Sequence, residues 1–183
     1  MTARDRILAA VEELIGQGGF KAVSIASAAG AAGVSRQTVY ANFGTLEDLV
    51  AEAVTEVSTR ALGEIAEQID AVTDAGAYAV ELIVAARAAF RDTPALAILV
   101  FPESGNPMFE ADMMTNALPI VEAFVAPLFE RAPHLMERQG DVVEVLLRTG
   151  LGVLLFNSDA IRSDADLRGF LTRTLLPAMG LAG

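Results

Sequence analysis

The sequence contains no cysteine and only one histidine, His134. The absence of cysteine excludes disulfides, thiolate metal sites and a cysteine nucleophile. A single histidine is too few for a zinc site built on two histidines. Three acidic residues, Glu103, Glu110 and Asp112, lie near one another, but a chain this acidic makes that weak evidence for a metal. We therefore expect no metal site.

Long hydrophobic runs are also missing. The segment 7–11 ends at Glu12 and Glu13, and the apolar segment 151–156 is far shorter than the roughly 20 residues that cross a bilayer. Neither segment is typical of an export signal. The sequence predicts a cytoplasmic protein without a membrane partner.

Sequence signatures of common enzymes are absent as well. We find no phosphate-binding loop, no dinucleotide-binding glycine fingerprint, no zinc-protease helix motif and no set of Ser, His and Asp spaced for nucleophilic catalysis. An enzyme of the helical body is therefore the weakest of the functional classes. We expect no catalytic residues and no cofactor.

The charges are distributed unevenly along the chain. It has 183 residues, a net charge of −11 and 53% apolar residues, enough for one or two compact domains with a real core. Residues 1–45 carry a net charge of about +1, whereas the remainder is strongly acidic. This asymmetry indicates two regions with different partners, which we place at 1–45 and 46–183.

The residue composition predicts an all-α protein. Ala, Leu, Glu and Arg are abundant, and the alternation typical of strands is scarce. Ser24, Ser35 and Thr45 each stand where a helix N-cap is expected. Helices are predicted over residues 3–16, 25–31, 36–42, 46–69, 75–91, 95–100, 111–131, 138–156 and 164–179, with 102–107 as the clearest loop.

The segment 20–49 has the pattern of a helix-turn-helix. Two short predicted helices flank Gly33, which can adopt the positive φ that a tight turn requires. Small residues are needed where the two helices cross, and apolar residues are needed to hold the second helix on its inner side. The sequence provides both, as Ala28, Ala29, Ala32, Val34, Val39 and Phe43.

The polar residues of this segment suit DNA recognition. Arg36, Gln37 and Thr38 stand at the N-terminal end of the second helix, where recognition helices contact base edges. Arginine pairs with guanine, and glutamine pairs with adenine. Hydroxyl and amide groups nearby are expected to bind phosphate oxygens. The predicted DNA-binding residues are Ser24, Ser35, Arg36, Gln37, Thr38, Tyr40 and Asn42.

These residues resemble the TetR (tetracycline-repressor-like) family of bacterial transcription regulators. The resemblance covers about residues 4–50 and rests on 19–20, 23–25, 31–35, 38–43 and 46–49 taken together. It implies an N-terminal DNA-binding domain and a helical body that binds an effector and forms a homodimer. The expected function is a ligand-responsive regulator, most often a repressor, that binds palindromic operator DNA and is released by a small apolar or amphipathic effector.

The body contains candidates for both roles. Apolar and aromatic residues cluster between residues 90 and 129, where two polar residues could orient an effector. The predicted effector-binding residues are Arg87, Phe101, Phe109, Met113, Met114, Asn116 and Phe124. The segment 138–156 is apolar on nearly all sides, and the last helix has an apolar stripe. The predicted dimer residues are Leu147, Leu151, Leu154, Phe170, Leu171 and Leu175, with Gly150 and Gly152 allowing close approach.

Simpler interpretations remain open for several of these residues. Arg36 is also explained as an ordinary exposed arginine and Tyr40 as a core aromatic with a solvated hydroxyl. The apolar cluster of the body is also explained as ordinary core. As an alternative function, the chain is a helical protein-interaction module whose helix-turn-helix no longer binds DNA, because the first region is only weakly cationic.

Overall fold

The structure is a computed structural model that describes residues 1–99, 113–156 and 158–181, without the side chains of 113–121. Within these residues the fold contains helices and no strand, which confirms the predicted all-α class. The helices are α1 (Ala3–Gly18), α2 (Ile25–Ala32), α3 (Arg36–Phe43), α4 (Leu46–Ile69), α5 (Ala75–Asp92), α6 (Pro94–Ile98), α7 (Met113–Arg131), α8 (Gln139–Leu155) and α9 (Asp164–Met179).

The chain forms two compact units. The first contains Met1–Leu62 and the described part of Arg91–Met113, and the second contains Gly63–Phe90 and the described part of Met114–Gly183. Helix α4 is continuous and contributes residues to both units. The division into functional regions at residue 45 stays a prediction, since α4 belongs to the first unit as far as Leu62.

The first unit is built around α1. Its stripe of Ile7, Val11 and Ile15 is buried, and α1 packs against α2, α3 and α6. Thr2 begins α1 with a capping box, because its hydroxyl accepts from the Asp5 amide and the Asp5 carboxylate accepts from the Thr2 amide. This hydrogen-bonding holds the pKa of Asp5 below its ordinary value.

Close approach explains one glycine of α1. A Cβ added to Gly16 would lie 3.4 Å from the Pro94 Cβ and 3.4 Å from the Ala95 amide nitrogen of α6. Such a contact is tight enough to require a small shift of the neighbour. Gly16 therefore allows α6 to pack directly on α1.

The second unit has one hydrophobic core, formed by the end of α4 together with α5, α7, α8 and α9. Val125, Leu128, Leu167 and Leu171 are buried almost completely within it. Tyr78 of α5 is buried in this core too and donates its hydroxyl to the Phe124 carbonyl oxygen of α7. The second unit therefore has a hydrophobic core that is formed within a single chain.

Most helix bounds lie within two residues of the prediction, and those of α4 and α9 coincide with it. Two short 3-10 turns, Phe20–Ala22 and Pro133–Arg138, were not predicted. The predicted helix over 95–100 is observed as Pro94–Ile98, with proline at its first position, where its missing N–H costs nothing. The predicted loop 102–107 and the start of the helix at 111 lie outside the described residues.

No helix in the described part of the chain is both long and apolar enough to span a membrane.

Candidate DNA-binding surface

The turn between α2 and α3 has the predicted geometry. Gly33 adopts φ 65° and ψ 39°, a left-handed conformation that favours glycine, and the Val34 amide donates to the Ala29 carbonyl oxygen at 3.0 Å. Ala28, Ala29 and Ala32 are buried. Small side chains at these positions let α2 pack closely in the first unit.

Serine caps begin both helices of the motif. The Ser24 hydroxyl accepts from the Ser27 amide at 3.0 Å, and the Ser35 hydroxyl accepts from the Thr38 amide at 3.0 Å. Ser27 completes a capping box by accepting from the Ser24 amide. Ser24 and Ser35 therefore have a structural role in fixing where α2 and α3 begin, in addition to the phosphate contact predicted for them.

Helix α3 has one buried and one exposed side. Val39 and Phe43 are buried, whereas Arg36 and Gln37 are exposed and Tyr40 is 54% exposed. Tyr40 is therefore not a core aromatic in this chain. The side of α3 that faces solvent carries a guanidinium, an amide and a phenol, which together offer donors and acceptors to base edges and phosphates.

Thr38 and Asn42 are bonded within α3. The Thr38 hydroxyl lies 2.8 Å from the Ser35 hydroxyl, and the Asn42 side-chain amide donates to the Thr38 carbonyl oxygen at 2.7 Å. An asparagine NH₂ group has two hydrogens, so one remains for another acceptor. Within the described part of the chain, the predicted DNA-binding residues of α3 thus divide into three exposed side chains without a hydrogen-bond partner and two that are bonded within the helix.

An arginine outside the predicted site residues contacts the C-terminal end of α3. Arg4 of α1 donates to the Asn42 carbonyl oxygen at 2.8 Å and forms an ion pair with Glu52 of α4. Its guanidinium carbon lies 4.7 Å from the centre of the Phe43 ring. These contacts join positions 38 to 48 residues apart, so no short motif signals them.

Ion pairs reduce the positive charge that the first unit can present. Arg4 pairs with Glu52, and Arg60 pairs with Glu12. Arg6, Lys21 and Arg36 are exposed and have no ion-pair partner in the described part of the chain. The weak cationic character expected from the sequence is therefore concentrated in a few side chains.

Arg87, the first predicted effector-binding residue, lies in the second unit. It forms an ion pair with Asp164 at 3.1 Å and donates to the Ile161 carbonyl oxygen at 3.5 Å. It lines a small pocket together with Val153, Phe156, Ser158 and Ile161. The cavity volume is about 10 Å³, which is room for roughly one water molecule.

Phe124 is the one other predicted effector-binding residue whose side chain is described, and it does not line that pocket. Phe124 is half-buried against the core of the second unit. Phe101 and Phe109 lie outside the described residues, as do the acidic residues near 110. Met113, Met114 and Asn116 lie in α7, and their side chains are outside the described part of the chain. The predicted effector site stays a prediction.

The predicted dimer residues differ in burial. Leu147, Leu171 and Leu175 are buried within the single chain. Leu151, Leu154 and Phe170 are half-buried, and Phe156 at the end of α8 is 73% exposed. The first half of α8 therefore packs in its own core, whereas its second half leaves apolar surface uncovered. A homodimer interface stays a prediction and would use the half-buried set.

Comparison with known proteins finds a family match within the first unit. Residues 7–53 match the family described as bacterial regulatory proteins, tetR family. This range contains α2, the Gly33 turn and α3 with its exposed polar side. No curated protein sequence matches the chain.

Solved structures with the same fold align with nearly the whole chain. The fatty acid degradation regulator FadR from Bacillus halodurans is 17% identical, with a TM-score of 0.58 over 98% of this chain and 96% of that one. The TetR-family regulator PfmR from Thermus thermophilus is 18% identical, with a TM-score of 0.58 over 93% and 94%. AibR, solved with isovaleryl coenzyme A and operator DNA, is 13% identical, with a TM-score of 0.57 over 93% and 96%. The resemblance found in the sequence is confirmed: residues 7–53 match the tetR family of bacterial regulatory proteins, and the chain has the fold of solved structures that include regulators of that family.

Proposed function

We propose that this protein is a cytoplasmic, ligand-responsive transcriptional repressor that binds palindromic operator DNA as a homodimer. The observation that carries the proposal is the exposed side of α3, where Arg36, Gln37 and Tyr40 face solvent while Val39 and Phe43 hold the helix from behind. Side chains of these types read base edges and phosphates in a major groove. The DNA-bound AibR structure supports this role for the shared fold.

Dimerisation is proposed through the uncovered apolar surface of α8 and α9. Leu151, Leu154 and Phe170 are half-buried, and Phe156 is largely exposed. Two helices from each subunit would form a four-helix interface and bury these side chains. A twofold axis would then present two copies of α3 to one duplex about 34–36 Å apart, or somewhat further.

The effector is proposed to be a small apolar or amphipathic molecule that binds in the second unit and lowers DNA affinity. AibR was solved with isovaleryl coenzyme A, and FadR is named for fatty acid degradation, which supports an acyl-type ligand. Continuous helix α4 supplies the connection along the chain between the two units. Effector and DNA would weaken each other's binding by the same factor, because coupling between two sites is reciprocal.

A second candidate function rests on charge. The whole chain carries −11, and two arginines of the first unit are already paired with glutamates. These features favour a helical protein-interaction module that no longer binds DNA. No sequence motif supports an enzymatic function, and a TetR-family fold favours a regulator over an enzyme.

Selection of duplexes from a random DNA pool separates the two candidates. The repressor proposal predicts enrichment of one palindrome, with two protected half-sites at least one helical turn apart, and loss of binding on adding an acyl coenzyme A such as isovaleryl coenzyme A. A pool that shows no enrichment at low salt, from a protein that is folded and dimeric, would favour the interaction module.

A further inference from the structure

We propose that Arg4 is a positioning residue that fixes the recognition helix α3 to α4 through Glu52. It is the one residue of α1 for which the described structure gives polar contacts to both of these helices: the Asn42 carbonyl oxygen and the Phe43 ring in α3, and the Glu52 carboxylate in α4. The inference rests on the proposed function only where it concerns DNA affinity. Its structural part, that Arg4 fixes the position of α3, does not depend on the proposed function.

Helix α3 needs tertiary contacts of this kind because it is short. Its eight residues are fewer than the roughly 12–15 that an isolated helix needs for even marginal stability in water. Tertiary contacts must therefore supply its orientation. The buried Val39 and Phe43 anchor its inner side, and the Ser35 cap fixes its first turn.

Arg4 contributes a hydrogen bond at the opposite, C-terminal end of α3. The last carbonyl oxygens of a helix have no partner within the helix. Here the Gly44 amide donates to the Tyr40 oxygen and the Thr45 amide donates to the Phe43 oxygen. Arg4 donates to the Asn42 oxygen, and a cation at this end also complements the helix dipole.

Geometry favours arginine over lysine at this position. The guanidinium donates through Nη1 to the Asn42 oxygen and through Nη2 to the Glu52 carboxylate, and its central carbon lies over the Phe43 ring. A planar group with several donors can make these contacts together, whereas an ammonium group is a single point charge. Exposed ion pairs alone contribute little, so we assign the effect to the combination.

The opposing possibility is that Arg4 binds a DNA phosphate directly. The two roles predict opposite effects for Glu52→Gln. If Arg4 were a phosphate ligand, removing the competing carboxylate would free it and strengthen DNA binding. If Arg4 positions α3, the same change loosens α3 and weakens DNA binding even though a negative charge has been removed.

The chain offers a matched control. Glu12 of α1 pairs with Arg60 of α4, so this ion pair also joins α1 to α4 in the same unit. Within the described residues, this pair forms no hydrogen bond or ion pair with α3. Glu12→Gln removes the same charge as Glu52→Gln, and Arg60→Met removes the same group as Arg4→Met.

The experiment measures two quantities for the wild-type chain, for these four variants and for Arg4→Lys. Hydrogen exchange of the α3 amides reports the hold on the helix, and fluorescence anisotropy with the selected palindrome reports DNA affinity. We expect Glu52→Gln and Arg4→Met to lose α3 protection and to weaken DNA binding about three- to tenfold relative to their controls. Arg4→Lys, which keeps the charge, should restore little of either.

Each remaining outcome has a defined meaning. Tighter DNA binding by Glu52→Gln than by Glu12→Gln, or unchanged α3 protection in Glu52→Gln, overturns the positioning role. If the wild type enriches no DNA but α3 protection falls as expected, the hold of Arg4 is supported while the proposed repressor function fails. Glu52→Gln, a conservative change of a half-exposed residue, serves as the folded variant should Arg4→Met unfold.

Discussion

The Asn42 side-chain amide donates to the Thr38 carbonyl oxygen at 2.7 Å, one turn earlier in α3. This bond uses one of its two amide hydrogens and aims the group along the helix. The second hydrogen stays available for a DNA phosphate, so the phosphate contact predicted from the sequence is compatible with the internal bond.

Asn42→Ala should weaken binding to the selected palindrome and to a shuffled duplex by a similar factor of about three to ten. A phosphate contact positions the protein without reading sequence, which is why both duplexes are affected. Anisotropy titrations with the two duplexes measure the effect. Loss confined to the palindrome would instead make Asn42 a base reader.

Lys21→Ala should lower affinity uniformly across DNA sequences and reduce the dependence of binding on salt. Lys21 is exposed, lies shortly before α2 and has no ion-pair partner in the described chain. Each phosphate contact contributes about 0.9 to the slope of log K against log salt, so the slope should fall by about one per subunit. Lys21→Arg is the control and should keep the slope; an unchanged slope in Lys21→Ala would remove this residue from the interface.

Gly150→Glu should weaken the dimer, whereas Gly140→Glu should not. Both glycines lie in α8, and a Cβ added to either has no atom within 4 Å in the single chain, so both variants should fold. Only Gly150 is next to the half-buried apolar residues of the proposed interface, where a carboxylate would lose its hydration. Sedimentation equilibrium measures the dissociation constant. Equal constants for the two variants would place the interface elsewhere.

Tyr78→Phe should change how the stability of the protein depends on pH above neutrality. Burial raises the pKa of the Tyr78 hydroxyl, with the neighbouring Arg131 opposing the shift. Its ordinary value is about 10, so the unfolded chain ionises first and the free energy of unfolding falls as pH rises above about 10. Below that pH the stabilisation is fully present.

At neutral pH the free energy of unfolding of Tyr78→Phe should be about 1 kcal/mol lower than that of the wild type, because the Phe124 carbonyl oxygen loses its donor. Above about pH 10 the free energy of unfolding should decline less in the variant than in the wild type. Urea titrations from neutral pH to about one unit above that value measure both effects. At neutral pH, the exposed Tyr40→Phe should keep the stability of the wild type. If the free energy of unfolding of Tyr78→Phe declines at high pH as much as that of the wild type, a group other than Tyr78 causes the decline.

Local signals in the sequence predicted the geometry of the helix-turn-helix. Ser24 and Ser35 act through neighbouring amides, and Gly33 acts through its own φ, so each can be recognised from adjacent residues. Periodicity then separated Val39 and Phe43 from the exposed residues of α3. The bounds of α4 and α9 were predictable for the same reason, since apolar spacing and caps agree there.

Features that depend on distant contacts were not predictable. Arg4 and Glu52 are 48 residues apart, and their pairing follows only from how α1 and α4 pack. Leu171 and Leu175 share the apolar stripe of α9 with Phe170, yet the two leucines are buried while Phe170 is half-buried. An apolar stripe identifies a buried side but does not say whether the same chain or a partner covers it.

The central claim is that the exposed side of α3 reads DNA bases, and the most direct test compares random-pool selections for the wild type and Arg36→Ala. Arg36 is exposed at the N-terminal end of α3, and a bidentate contact with guanine contributes about 1–3 kcal/mol of discrimination. We predict that the wild type enriches a palindrome and that Arg36→Ala loses preference at one base pair in each half-site while keeping the others. The same preference at every position in both selections would contradict the account.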